Sequence, residues 1–167
     1  MVITDTNLLR QPCRNVSIFE AQDIITKLEI ELSAPGIKGV GLAAIQIGIL
    51  VNVCIIRSGL IKINLINPTI VAKYDLRMFK NEGCLSFPEQ WFTTKRHNEI
   101  FVKDLIYPTG MVFVGLEAVI VQHEIGHLNG ELMHDYAISL PLGPNSLCWC
   151  GGGKKWKKCH MGSEIKG

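Results

Sequence analysis

The sequence has no apolar run long enough to span a bilayer. Its most hydrophobic stretch, Val40 to Ile56, is broken by Gln46, Asn52 and two glycines and falls short of the ~20 residues a span needs. The N-terminus, MVITDTNLLR, has no basic start followed by an apolar segment, so no secretory leader is expected. Charged residues are only 19% and aromatics 7% of the chain. The 16 glycines and 7 prolines follow no period, which excludes collagen and solenoid arrays. What is present is apolar: 47% of 167 residues. That excludes general disorder and supplies the core of one ordinary domain with a short appendage.

The net charge of +2 is unevenly placed. Residues 148–167 hold five lysines against one glutamate, which is +4; the remaining 147 residues hold 12 basic and 14 acidic side chains, which is −2. The body is near neutral and the tail is basic. The six cysteines are Cys13, Cys54, Cys84, Cys148, Cys150 and Cys159. With no leader expected, a disulfide framework is not. Three of the six crowd the tail beside His160, a clustering that points to metal binding.

Periodicity predicts a helix over 17–32, with Ile18, Ala21, Ile25, Leu28 and Leu32 on one face and Ser17 and Glu20 as a capping box. Pro35-Gly36 ends it. Strands are predicted at 50–57 and 61–68 around a Ser58-Gly59 turn, with further extended segments at 70–80 and 91–103. A second helix runs from about Leu116 to Asn129, stopped by Asn129-Gly130. Leu116, Val119, Ile120, His123 and His127 form one stripe along it. Residues 139–147 read as a linker. Short strands with two separated helices predict an α+β fold.

The second helix carries QHEIGHLNG. Two histidines four residues apart project from one helix face, and His123 and His127 can hold one metal ion between them. The intervening Glu124 can serve as general base. A hydrolytic metal site has three protein ligands and one open position. His134 lies downstream without the spacing of the larger metalloprotease classes; Cys84, in NEGCLSFP, is the better third ligand. An ordinary buried thiol is the alternative for Cys84. The run GVGLAAIQ, Gly39 to Gln46, allows close backbone approach and places an amide that can donate to an oxyanion. A tight turn into a small-residue strand is its alternative.

Taken together and in this order, GVGLAAIQ, EGCLS and QHEIGHL resemble the three signature motifs of the peptide deformylases, over most of residues 1–136. The resemblance implies a metal-dependent hydrolase that removes the formyl group from the N-terminal formylmethionine of nascent polypeptides and releases formate. It implies short antiparallel and mixed sheets packed around a central HExxH helix. It assigns Cys84, His123 and His127 as metal ligands and Glu124 as general acid/base. Gln46 and the Leu85 backbone N–H form the oxyanion hole, and Gly41 holds the substrate backbone. Val40, Leu116, Val119 and Ile120 are the candidate apolar slot for the methionine side chain, with core packing as their alternative. The implied catalytic metal is divalent, natively Fe2+, with Zn2+, Ni2+ or Co2+ as alternatives the ligand set does not separate. Two positions depart from the family pattern: Gly126 stands where an Asp is usual, removing the partner expected for Arg96, and Ile45 where a proline is common.

The tail reads CWCGGGKKWKKCHMG. Cys148, Cys150, Cys159 and His160 give C-x-C-x8-C-H, a closed tetrahedral set for structural Zn2+, and resemble the SEC-C zinc motif. So short a segment folds only with its metal. Domains are therefore expected at 1–140, catalytic, and 145–163, a zinc knuckle. Lys154, Lys155, Lys157 and Lys158 interleave with Trp149 and Trp156, which suggests contact with RNA phosphates and bases, on the ribosome in particular. A bare solubilised knuckle is the alternative. The expected partners are N-formylmethionyl peptides and no membrane, and the expected location is the cytoplasm of a bacterium or of a phage's host. Two competing readings stand beside the deformylase: a broader metallo-amidase or peptidase, and a non-catalytic ribosome- or protein-binding module with structural metals. The upstream cysteine argues against the first and the intact Glu124 against the second.

Overall fold

The computed structural model describes residues 1–139 and 142–165, so part of the expected linker, residues 140 and 141, lies outside the described residues. The elements run α1 (Thr6–Leu9), α2 (Ile18–Leu32), β1 (Gly41–Ala43), β2 (Val53–Ser58), β3 (Ile61–Ile66), β4 (Thr69–Cys84), β5 (Phe87–Lys103), β6 (Met111–Val114), α3 (Leu116–Leu128) and β7 (Glu164–Ile165). The architecture is mixed α and β, as expected. One sheet has the order β1-β2-β3 and is antiparallel; the other has the order β6-β5-β4-β7, antiparallel except for the β4-β7 pair.

Helix α2 starts where the sequence predicts. Ser17 caps it by accepting from the Glu20 backbone N–H at 3.2 Å. The reciprocal half of the capping box is absent, because the Glu20 carboxylate turns out to Arg14. The buried face is Ala21, Ile24, Leu28 and Leu32. Ile24 replaces the expected Ile25, which is half-buried, and Ile18 is exposed. The apolar stripe is wider than one row, so the sheet rather than the spacing selects which isoleucine packs. This face covers β1 and β2 in a core with Val53, Ile55 and Ile66.

The predicted hairpin at Ser58-Gly59 forms, with Ser58 paired to Ile61 and Gly59 at φ 57°. The two extended segments are longer than their sequence pattern suggests, 16 and 17 residues. They pair along nearly their whole length, and the pairing supplies backbone partners where alternation fails. The register shifts between Phe79 and Glu82, where Asn81 lies at φ 59°. Such a bulge re-aims the next side chain, and Glu82 is buried.

Helix α3 is enclosed on nearly all sides. Ten of its 13 residues are buried, from Ala118 to Leu128. It packs with Ala43, Ile45, Cys54 and Ile56 of the first sheet layer and Ile100 and Phe113 of the second. The helix thus lies between the two sheets, and burial all round is how such a helix holds polar side chains in a dry setting. Gly126 is open: a Cβ there meets nothing nearer than Glu131 at 3.7 Å. A mid-helix glycine costs about 1 kcal/mol relative to alanine. Gly126→Ala is therefore expected to raise Tm by about 2–4 °C, measured by calorimetric melting; a lower Tm would show that the space is not free. Among the described residues no helix is long and apolar enough to cross a membrane.

Candidate metal centre and cleft

The end of β4 and one face of α3 meet at three donor atoms. Cys84 Sγ lies 3.2 Å from His127 Nε2, and His127 Nε2 lies 3.2 Å from His123 Nε2. All three fall within 4.8 Å of one another. Ligands at Zn–N and Zn–S bond lengths in a tetrahedron are about 3.3–3.6 Å apart, so this spacing fits a shared divalent ion. The i, i+4 repeat of α3 supplies the two imidazoles. The β4-β5 hairpin, closing at Cys84↔Phe87, brings the thiol to them.

Glu82 fixes His123. Its carboxylate accepts from His123 Nδ1 at 2.7 Å, which leaves Nε2 as the free lone pair facing the cluster. The same carboxylate takes two bonds from Arg96, at 2.9 and 2.5 Å, and one from Thr94 Oγ1 at 2.6 Å. Both members of the Arg96–Glu82 pair are only 3% exposed. Burial alone would raise the Glu82 pKa; the Arg96 and His123 hydrogen bonds overcome it and hold the carboxyl well below the usual range. Burial would likewise depress His123, but Cys84 and Glu82 lift it to about 10. The surrounding groups thus favour positive charge at His123 itself, a proton that a metal ion would have to replace. His127 is pushed the other way, by burial and by His123, and stays neutral as a ligand must.

Glu124 sits next to the cluster, buried, with Oε2 unpartnered among the described residues. Desolvation pushes its pKa up to about 7, with Glu82 adding and His123 opposing. Gly41 of β1 makes room for it: a Cβ on Gly41 would stand 2.5 Å from Glu124 Oε1. Gly41→Ala is expected to displace Glu124 and lower kcat by roughly 10²-fold, the effect of about 1 Å of misplacement. Metal content should not change; full activity would show that Glu124 has slack. Gln46 is placed by the turn Ala44–Ile47. Its Oε1 accepts from the Ala43 N–H at 2.9 Å, and Nε2 points to Ser86 Oγ at 3.1 Å and Cys84 Sγ at 3.5 Å. The amide orientation is thereby set, with the donor side toward the cluster.

A cleft of about 830 Å³ opens onto these groups. Val40, Gly41, Leu85, Leu116, Val119 and Ile120 all line it, together with Gln46, Cys84, His123 and Glu124. Val119 and Ile120 are buried and Val40 is 46% exposed, so the apolar wall deepens away from the mouth. His134 is not in this group; it bonds Gln90 and packs on Phe87 and Phe92.

A family model described as polypeptide deformylase matches residues 1–141. The chain belongs to the polypeptide deformylase family. The peptide deformylase of Pelagibacter ubique is 36% identical over 151 residues, covering 83% of this chain and 86% of that protein. That of Brucella suis is 35% identical over 153 residues, covering 84% and 85%. The fold agrees with deformylase structures. The Synechococcus elongatus deformylase in complex with actinonin aligns with a TM-score of 0.74 at 34% identity, covering 83% of this chain and 78% of that one. The Met-Ala-Ser-bound deformylase of Acinetobacter baumannii gives 0.72 at 26%, covering 81% and 96%. A SEC-C motif model matches residues 145–162.

Against this deformylase frame, three features escaped the sequence. The partner of Arg96 is Glu82, with the Tyr136 ring 4.1 Å from its guanidinium carbon; the loss of an acid at 126 therefore leaves Arg96 with a carboxylate of its own. A basic residue and an acid 14 positions apart in strand-like sequence were the available signal. Gly83 lies under the exposed Trp91 ring, which stands 2.5 Å from where a Cβ would be and would have to shift for one. Finally, β7 pairs with Met78 and Phe79 of β4.

The tail brings its four predicted residues together. Cys148, Cys150, Cys159 and His160 have donor atoms within 4.8 Å of one another. His160 Nδ1 lies 3.3 Å from Cys148 Sγ and 3.2 Å from Cys159 Sγ. The lysines 154, 155, 157 and 158 are exposed, as expected. The tryptophans are both half-buried. Trp149 packs 4.6 Å from His160, and the indole nitrogens of Trp149 and Trp156 are both buried. Each ring covers part of the knuckle and leaves part of its surface to solvent.

Proposed function

We propose that this chain hydrolyses the N-formyl group of N-formylmethionyl peptides through Cys84, His123, His127, Glu124 and Gln46. The observation that carries the reading is the convergence of Cys84, His123, Glu124 and Gln46 on one apolar cleft, with His127 clustered behind Cys84 and His123. Cys84, His123 and His127 would hold one divalent ion, natively ferrous iron in this reading, which when bound supplies Lewis-acid polarisation and an activated water.

The chain's own groups do the rest. Glu124, lifted to about 7 by burial, takes the proton of the attacking water and returns it to the leaving amine at neutral pH. Gln46 Nε2 and the Leu85 N–H donate to the oxyanion of the tetrahedral species. Gly41, on the free edge of the β1-β2-β3 sheet, bonds the peptide backbone by strand addition. Val40, Leu116, Val119 and Ile120 take the methionine side chain. Formyl carries only hydrogen on its carbonyl carbon, so a close-walled site rejects larger acyl groups by size.

In the same reading residues 1–140 are the catalytic unit around the HExxH helix, and 145–163 a knuckle closed by structural Zn2+ on Cys148, Cys150, Cys159 and His160. Nascent formylated chains arise at the ribosome in the cytoplasm, and the four exposed lysines suit its RNA phosphates. Co-sedimentation with ribosomes tests this contact: changing all four lysines to glutamine should weaken pelleting, and equal pelleting would remove it.

The primary test is formate release from formyl-Met-Ala-Ser by anaerobically purified protein, with elemental analysis of the same sample. Turnover with about two metals per chain supports both sites. Two metals without formate would leave a binding module.

A further inference from the structure

We infer that the cavity between α3 and the tail is a binding site for a small oxyanion. The cavity is separate from the catalytic cleft and has a volume of about 350 Å³. Gln122, Ile125, Gly126 and Asn129 line its floor, the i, i+3, i+4, i+7 face of α3, turned away from His123 and His127. Trp149 and Cys150 of the tail close it from the other side.

Its walls are cationic. Lys73 and Lys95 supply the charge, beside Arg96, whose own charge Glu82 offsets, and a neutral His97; Glu131 is the one acid lining it among the described residues. The Glu131 carboxylate is engaged by Tyr136 OH at 2.5 Å. Arg96 is decisive. It is buried, and its Nε and Nη2 are spent on Glu82. Among the described residues Nη1 has no hydrogen-bond partner. A guanidinium presents five donors in a rigid fork, and a buried one with a free edge on a cavity is suited to a planar or tetrahedral oxyanion. His97 reports the same field: burial and then Lys73 hold its pKa down. Gly126 leaves room on the floor, where a Cβ would meet Glu131 at ordinary contact distance, its Cβ at 3.7 Å and its Oε2 at 3.8 Å. The volume has room for an inorganic phosphate or a short carboxylate, formate among them.

The test is isothermal calorimetry on the metal-loaded full-length protein, with formate and inorganic phosphate as separate probes and chloride at equal ionic strength as control. Two variants leave the catalytic groups intact. Lys73→Gln with Lys95→Gln removes two wall charges and should weaken binding by roughly tenfold or more. Gly126→Asp places the protein's own carboxylate on the floor and should abolish binding. Which probe binds tighter separates a carboxylate from a phosphate site. Absence of oxyanion binding above the chloride control overturns the inference. So does affinity unchanged in both variants, which would place the anion at the metal centre.

Discussion

Replacing Glu124 with glutamine should lower kcat by about 10²–10⁴-fold, the range for a positioned general acid/base, while the catalytic metal is retained. Glutamine keeps the volume that Gly41 is shaped around and leaves Cys84, His123 and His127 untouched. It cannot take up and return a proton. Glu124 Oε2 has no partner among the described residues, so no structural hydrogen bond is lost with the charge. Steady-state formate release and elemental analysis on the same preparation check it. Near-normal kcat would show that the proton moves through another group; loss of metal together with activity would show that Glu124 is structural.

The second large effect is expected at Glu82, the first residue of the EGCLS motif, to which the sequence assigned no role. One carboxylate serves Arg96, Thr94 and His123 at once. Glu82→Ala leaves the Arg96 charge buried without its counter-ion, a change that costs about 3–5 kcal/mol. It also frees His123 Nδ1, and losing such an orienting partner lowers metal affinity by about 10–100-fold. Denaturant unfolding and competition with a chelator measure the two separately. Glu82→Gln sorts the causes: it keeps an acceptor for His123, so metal affinity should recover more than stability does. Wild-type stability and affinity in Glu82→Ala would show that the network is incidental.

Helix α3 and its histidine pair were legible because their signal is local. His123 and His127 are one helical turn apart, and that spacing alone puts both on one face. The capped start of α2 at Ser17 was legible for the same reason. Cys84 and Gln46 were legible as motif members, though what brings them to 3.5 Å is a hairpin and a turn from different sheets. The Arg96–Glu82 pair was not legible, because it depends on how β4 and β5 register across a bulge. The choice of Ile24 over Ile25 was likewise a packing decision. The aromatic character of the tail was visible, but the packing of Trp149 on His160 was not.

By itself the sequence determined the family, the α+β class and the basic tail, and it named the residues that the fold gathers into two candidate metal clusters. Each rests on short spacings or on residue identity, which the chain carries wherever it goes. Only the tertiary structure decided that Glu82 locks His123, that Gly41 yields its side chain to Glu124, that β7 joins the edge of β4, and that a cationic cavity lies behind α3. Those depend on strand register and on the approach of segments far apart in the chain. Contacts of that kind are set by the packing of the whole core rather than by any local pattern.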